Sequence, residues 1–231
     1  MARLLIVIPA LDEALTLPAV IADIKNKYPP AEILVIDDSS SDGTRNVAIA
    51  AGAGVLSLAS QLGPWPAAQC GIRYGVERGF DLTITMDADG QHPPEFIPKI
   101  IERYYESKPN IVIGGGVERG SLVHYFAWHL IRIVSGLRVT DLTSGFRLYD
   151  RQACELLASR EASFLEHQDV GILSMAVRAG LTIEEIEIIM EPRRHGESRI
   201  FGSWLKIFFY MLNTLLLALS KRPLLFEDEK S

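Results

Sequence analysis

Cysteine is scarce: the 231 residues hold two, Cys70 and Cys154, each alone. Without a C-x-x-C pair or a Cys/His spacing, neither a zinc site nor a disulfide framework is indicated, and both thiols read as small apolar core residues. Net positive charge is missing as well. Lys and Arg number 23 against 29 Asp and Glu, a balance of −6. That balance argues against nucleic acid as a partner, because non-specific binding needs cations to neutralise phosphates. No apolar run reaches the ~20 residues of a bilayer-spanning helix. The opening "MARLLIVIPALDEA" carries an apolar run one strand long, then Asp12 and Glu13, with no small-residue cleavage site. No secretory leader is expected, and a cytosolic protein is. Internal repeats and low-complexity tracts are absent.

Apolar residues, by contrast, are plentiful, at 48% with a mean hydropathy of +0.16. The length suits one large α/β domain or two small ones. Short apolar runs alternate with longer amphipathic ones. "RLLIVIPA", "EILVIDD", "GVLSLA", "DLTITMD" and "NIVIGGG" read as strands. "LTLPAVIADIKNKY", "SSSDGTRNVAIAAG", "AAQCGIRYGVERG" and "PPEFIPKIIERYYES" read as the helices between and after them. Strands that are apolar throughout are buried on both faces, and the β-α-β order predicts a mainly parallel sheet flanked by helices. Beyond residue 117 the pattern loosens. "VHYFAWHLIRIVSGL" and "HQDVGILSMAVRAG" predict helices, "DLTSGFRLYD" a loop entering a helix, and "TIEEIEIIME" a half-exposed strand.

In an open parallel sheet the ligand sits beyond the carboxyl ends of the strands. Acidic residues fall at three such ends: Asp12 and Glu13, Asp37 and Asp38, Asp87 and Asp89. A mouth lined with carboxylates is sensible when a divalent cation and a hydroxyl-rich ligand occupy it. A bare D-x-D is often a solvated turn. At a strand end, with Gly90 allowing close backbone approach and Gln91 adding an oxygen, Asp87 and Asp89 read as ligands for magnesium or manganese. Asp38 either caps the next helix, a task better suited to Ser41 or Asp42, or meets a ribose or base. Arg147 is either a structural arginine paired with Asp141 or Asp150, or a phosphate contact beside Ser144. In "EHQD", Asp169 either caps a helix or aims a carboxylate at substrate, Glu166 is its neighbour, and His167 reads as a spectator.

Near the C-terminus, "EPRRHGESR" gathers Arg193, Arg194, His195 and Arg199 around Gly196. An aromatic-rich apolar run follows, with 14 residues between Lys206 and Lys221. It predicts an interfacial helix with basic residues near anionic headgroups, the other reading being a core or dimer-interface helix. The expected division is a catalytic domain over 1–199, this helix over 200–222 and an acidic tail over 223–231.

Four segments, "VIPALDEA", "VIDDSSSDGT", "MDADGQHPPE" and "TSGFRLY", stand in an order and spacing that resembles family 2 glycosyltransferases of the GT-A fold. More narrowly, residues 4–200 resemble the polyprenyl-phosphate sugar transferases, the group that includes dolichyl-phosphate mannose synthase. The resemblance implies that Pro9, Ala10, Asp12 and Glu13 cradle a nucleotide and that Asp38 lies near its base and ribose. It implies that Asp87, Asp89 and Gln91 bind the metal, and that Ser144 and Arg147 meet acceptor and phosphates. Arg193 and Ser198 match an R-x-x-G-x-S element before a membrane segment. Arg119 stands for a phosphate-binding arginine, although "GGGVERGS" replaces the usual G-S-R. In a departure from the family's N-x-G-x-G-x-A, "QLGPWPAAQCG" puts Gln61 at the asparagine, keeps Gly63 and inserts Pro64-Trp65-Pro66. Trp65 in such a loop is expected to stack on a base or sugar, or to mark an altered donor site.

The reaction so implied is a metal-dependent inverting transfer from a GDP- or UDP-sugar to a polyprenyl phosphate at the inner membrane face. An acceptor phosphate is already an anion and needs no strong base; a sugar hydroxyl acceptor would need one, with Asp169 the candidate. The expected partners are the nucleotide sugar, the lipid acceptor and the membrane surface, with a homo-oligomer or a membrane subunit as a further contact. The rival readings are a silent sugar-nucleotide-binding protein and a phosphoreceiver, the latter weakened by its length and by an acidic pair after the second strand.

Overall fold

The computed structural model describes residues 2–116, 139–142, 144–165 and 170–191. The expectations for Arg119, Glu166, His167, Asp169, Arg193, Ser198 and the segment 200–222 lie outside those residues. In chain order the elements are β1 (Leu4–Ala10), α1 (Leu17–Lys27), β2 (Glu32–Asp37), α2 (Thr44–Ala50), β3 (Gly54–Ser57), α3 (Pro64–Glu77) and β4 (Leu82–Thr85). There follow a 3-10 turn (Pro94–Phe96), α4 (Ile97–Ser107), β5 (Ile111–Gly115), β6 (Arg147–Asp150), α5 (Arg151–Leu157), a second 3-10 turn (Glu161–Phe164), α6 (Val170–Arg178) and β7 (Ile183–Glu187).

The seven strands form one sheet in the order β3-β2-β1-β4-β6-β5-β7. β1 through β4 pair in parallel, and so do β5 and β7. β6 alone runs the other way, between β4 and β5. The GT-A expectation of a mainly parallel sheet flanked by helices therefore holds. "FRLYD" corrects the loop expected there. Leu148 packs on one face and Tyr149 on the other, which is the two-residue period of a strand buried on both sides.

Burial on both faces explains the unbroken apolar strands. In β1, Leu4, Ile6 and Ile8 join Leu17, Val20 and Ile21 of α1 and Ile97 and Ile100 of α4. Leu5 and Val7 turn to the opposite face, with Ile36 and Ala67. Each fully buried Ile, Leu or Val stabilises the fold by about 1.5–3 kcal/mol. The α3 helix lies close on β1: a Cβ at Gly71 would fall 2.2 Å from Val7 Cγ1. β7 closes the far edge half-exposed, as the alternation in "IEEIE" predicts.

The α3 helix begins at Pro64, three residues before the expected start at Ala67. The first turn of a helix has no use for its N–H groups, so Pro64 and Pro66 fit there without loss. The inserted prolines thus lengthen a helix and do not stiffen a loop. Both cysteines are free, and burial pushes the Cys154 thiol up to about 12. No described helix is long and apolar enough to cross a membrane.

Candidate active site at the carboxyl edge of the sheet

The parallel strands β1, β2 and β4 bring the three acidic clusters to one edge. Ala10 lies opposite Asp37, and the Asp38 amide donates to the Ala10 carbonyl at 2.9 Å. Met86, at the end of β4, donates to the Val7 carbonyl at 3.0 Å. Pro9 and Ala10 are the last residues of β1, with Ala10 buried and Pro9 half-buried.

The first two clusters are knitted to each other. Asp12 takes a positive φ of 52°, and its Oδ1 accepts the Ser41 amide at 2.7 Å. The Asp12 amide donates to Ser40 Oγ at 3.0 Å, and the Glu13 amide to Thr44 Oγ1 at 2.8 Å. Glu13 Oε2 accepts the Thr16 hydroxyl at 2.7 Å, beside the start of α1. Asp42 holds the α2 end of this junction, accepting the amides of Ala14 and Thr44, each at 3.0 Å. Burial pushes the Asp42 carboxyl up, but the bonds from the Thr44 hydroxyl and from the Ala14 and Thr44 amides outweigh it. The group therefore sits below its ordinary 3.8.

Asp38 is buried, and both of its oxygens are engaged. They accept the amides of Leu62 at 2.7 Å and Gly63 at 2.9 Å. Asp38 thereby pins the segment that carries Gln61 and Gly63 into α3. Gln61 itself is exposed at that corner. Trp65 is a correction. It is fully buried with Ala68, Ile72 and Tyr149, and its indole N–H donates to the Ala162 carbonyl at 2.9 Å. A side chain so enclosed offers no face to a base or sugar.

The "SGFR" segment also turns its polar groups inward. Ser144 is buried; its hydroxyl donates to the Gly114 carbonyl and accepts the Phe146 amide at 3.2 Å. Arg147 has no exposed surface. Its Nε donates to the Ser144 carbonyl at 2.8 Å and its Nη2 to the Leu142 carbonyl at 2.7 Å. These carbonyls replace the carboxylates of Asp141 and Asp150 as its partners. Asp150 instead caps α5, accepting the Ala153 amide at 2.8 Å. Ser144 and Arg147 thus build the loop, and Arg147 Nη1 is buried there without a hydrogen-bond partner.

What the loop builds is a wall beside the D-x-D. Thr85 Oγ1 donates to the Gly145 carbonyl at 2.7 Å. A Cβ on Gly145 would lie 2.6 Å from Asp87 Oδ1 and 3.2 Å from its Cγ and Oδ2, so only glycine leaves the Asp87 carboxylate its seat. Asp87 is half-exposed, and Asp89 is buried, its Oδ1 accepting the Gln91 amide at 2.9 Å. Gln91 also fixes the next chain segment: its carbonyl accepts the Glu191 amide at 3.0 Å, and its side-chain amide donates to the Glu191 carbonyl at 3.4 Å. Glu191 is thereby held beside the D-x-D. His92, unremarked in the sequence although it adjoins Gln91, is buried here and accepts the Asp87 amide at Nδ1 at 3.0 Å.

The donor set suits a hard divalent cation. Asp87 presents a solvent-facing carboxylate in a cradle that a Cβ would fill, and Asp89 supplies a second. No group of three His, Cys, Asp or Glu comes together among the described residues. A cation held by two carboxylates completes its shell from water and phosphate oxygens, which is the habit of magnesium.

The family model of glycosyl transferase family 2 matches residues 5–158, the span that carries every strand end just described. The chain belongs to glycosyl transferase family 2. It is 32% identical over 219 residues to the undecaprenyl-phosphate mannosyltransferase of Micrococcus luteus, covering 87% of this chain and 88% of that protein. It is 26% identical over 221 residues to the polyprenol monophosphomannose synthase of Mycolicibacterium smegmatis, covering 87% and 82%. Among solved structures it resembles glucosyl-3-phosphoglycerate synthase from Mycobacterium tuberculosis. The complex with magnesium and UDP superposes at a TM-score of 0.71 with 22% identity, over 96% of this chain and 81% of that one. The complex with manganese, UDP and glucosyl-3-phosphoglycerate gives 0.68 at 22% identity, over 95% and 80%. These structures share the transferase's fold.

Proposed function

We propose that this glycosyltransferase moves a sugar from a nucleotide diphosphosugar to a polyprenyl phosphate, with a divalent cation held by Asp87, Asp89 and the side-chain oxygen of Gln91. The observation that carries the acceptor is the match along 87% of the chain to a relative named for undecaprenyl phosphate. The site geometry supports the donor side. A solvent-facing carboxylate and a buried one stand together at the carboxyl edge, where a diphosphate would otherwise be repelled. The cation, when bound, neutralises charge that develops on the departing nucleoside diphosphate.

The chain's own residues do the rest. Asp12 with Ser41, and Asp42 with Ala14 and Thr44, fix the two loops that border the donor pocket. Asp38 fixes the third through Leu62 and Gly63. The acceptor phosphate attacks the anomeric carbon as an anion, so no general base has to take a proton. Arg193 and Ser198 are proposed to face that phosphate, and Arg119 the diphosphate. The apolar, basic-flanked segment 200–222 is proposed to lie on the inner face of the membrane, where the lipid acceptor is.

A donor panel tests this: GDP-mannose, UDP-glucose, UDP-galactose and UDP-GlcNAc, each labelled in the sugar, with magnesium or manganese and a short polyprenyl phosphate. The expected result is label extracted into the organic phase for one donor. Asp89→Ala should lower that transfer by at least about 100-fold, the scale for loss of a charge-stabilising group. Asp169→Asn should leave it nearly unchanged. Transfer that withstands EDTA would remove the cation from the reaction, and a severe Asp169→Asn defect would point to a hydroxyl acceptor.

A further inference from the structure

The Asp87 carboxylate is bounded on two sides by groups that the D-x-D pattern does not include. Gly145 forms one side, so close that a Cβ on it would lie 2.6 Å from Oδ1. His92 forms the other. Its Nδ1 accepts the Asp87 amide at 3.0 Å, so the hydrogen of a neutral ring sits on Nε2. That Nε2 is buried, has no hydrogen-bond partner, and lies 3.7 Å from Asp87 Oδ2. The side chain is 1% exposed and stacks on Phe146 with centroids 5.6 Å apart and planes at 24°. Phe146 is in turn carried by the same short segment as Gly145. One donor is thus held rigidly beside a carboxylate oxygen, just beyond bonding distance, with nothing else to serve.

Metal-ligating carboxylates are themselves hydrogen-bonded, and those outer partners orient the ligand. We propose that His92 is the positioning residue of Asp87: its Nε2–H takes the carboxylate oxygen that the cation leaves free, and the Gly145 wall keeps the other oxygen turned to the site. This rests on the cation reading above. It assigns "SGF" a purpose that phosphate recognition does not, since Phe146 holds the imidazole and Gly145 the carboxylate. His92 does not touch substrate and moves no proton.

The test measures manganese binding to the purified full chain by electron paramagnetic resonance, with and without UDP or GDP. His92→Asn keeps an acceptor where Nδ1 stood, so the Asp87 amide stays bonded, but lacks the Nε2–H. Expected are a metal-free melting temperature close to wild type and manganese affinity weaker by roughly 10-fold or more. Gly145→Ala is the second arm and leaves His92 in place. Its new methyl displaces only the end of the Asp87 side chain, and the same weakening is expected, which keeps the proposal open to test if His92→Asn does not fold. Asp87→Asn sets the floor. Wild-type manganese affinity, within twofold, in a folded His92→Asn would overturn the assignment and leave the transferase reading standing. Wild-type protein that binds no manganese even with nucleotide would overturn both the assignment and the cation reading. Transfer by that same protein in the donor panel would then preserve the acceptor reading alone.

Discussion

Trp65 shows how one side chain misleads when only its neighbours in sequence are known. Between two prolines, at the edge of a donor pocket, an aromatic reads as a ligand platform. Its partner is the Ala162 carbonyl, 97 residues away, and no local pattern announces that contact. Trp65→Phe should therefore cost stability, about 1–3 kcal/mol from the lost bond and the lost volume, read as a lower denaturant midpoint. The KM for the donor should stay at its wild-type value; a base-stacking residue would raise it. Arg147 carries the same lesson. A lone arginine near carboxylates suggested an ion pair, whereas two carbonyls of its own loop take its Nε and Nη2.

At the level of elements, the strand ends were legible and the joints between them were not. Continuous apolar runs announced β1, β2 and β4, and with them the edge where Asp12, Asp38 and Asp87 would gather. β6 was hidden because "RLYD" begins and ends on charged residues and follows a glycine-containing loop, so no continuous apolar run announces it. Nor does sequence tell how an aspartate at a strand end spends its oxygens. Asp38→Asn leaves one acceptor for two amides, so either Leu62 or Gly63 loses its partner. A cost of about 1–3 kcal/mol is expected from an orphaned buried group, together with a raised donor KM as the loop loosens. The junction of α1 and α2 has a pH signature. Asp42 titrates below its ordinary 3.8, so its folded form favours the carboxylate. The stability it supplies is complete above about pH 4 and is lost as pH falls through the depressed folded value. Melting curves of Asp42→Asn should thus lie below wild type at neutral pH and converge with it in acid.

Taken whole, the molecule owes its stability to apolar clusters that wrap both faces of the sheet, and none of the described core needs a cation. EDTA should stop transfer without lowering the melting temperature. Manganese with nucleotide at 100 times Kd should raise it, since binding of that strength adds about 2.7 kcal/mol. For a chain of this size that corresponds to roughly 5–11 °C. The overall class was open to reading because alternating strands and helices leave few arrangements. The sheet order was hidden by the one strand that reverses.

That reversal also sets a schedule. β1 to β4 are complete once residue 85 has been made, and they can pair as they leave the ribosome. Gly145, Phe146 and β6 arrive some sixty residues later and supply the wall beside Asp87. A chain still in synthesis holds its aspartates without their setting, so the site is complete only after Gly145 and Phe146 have been added.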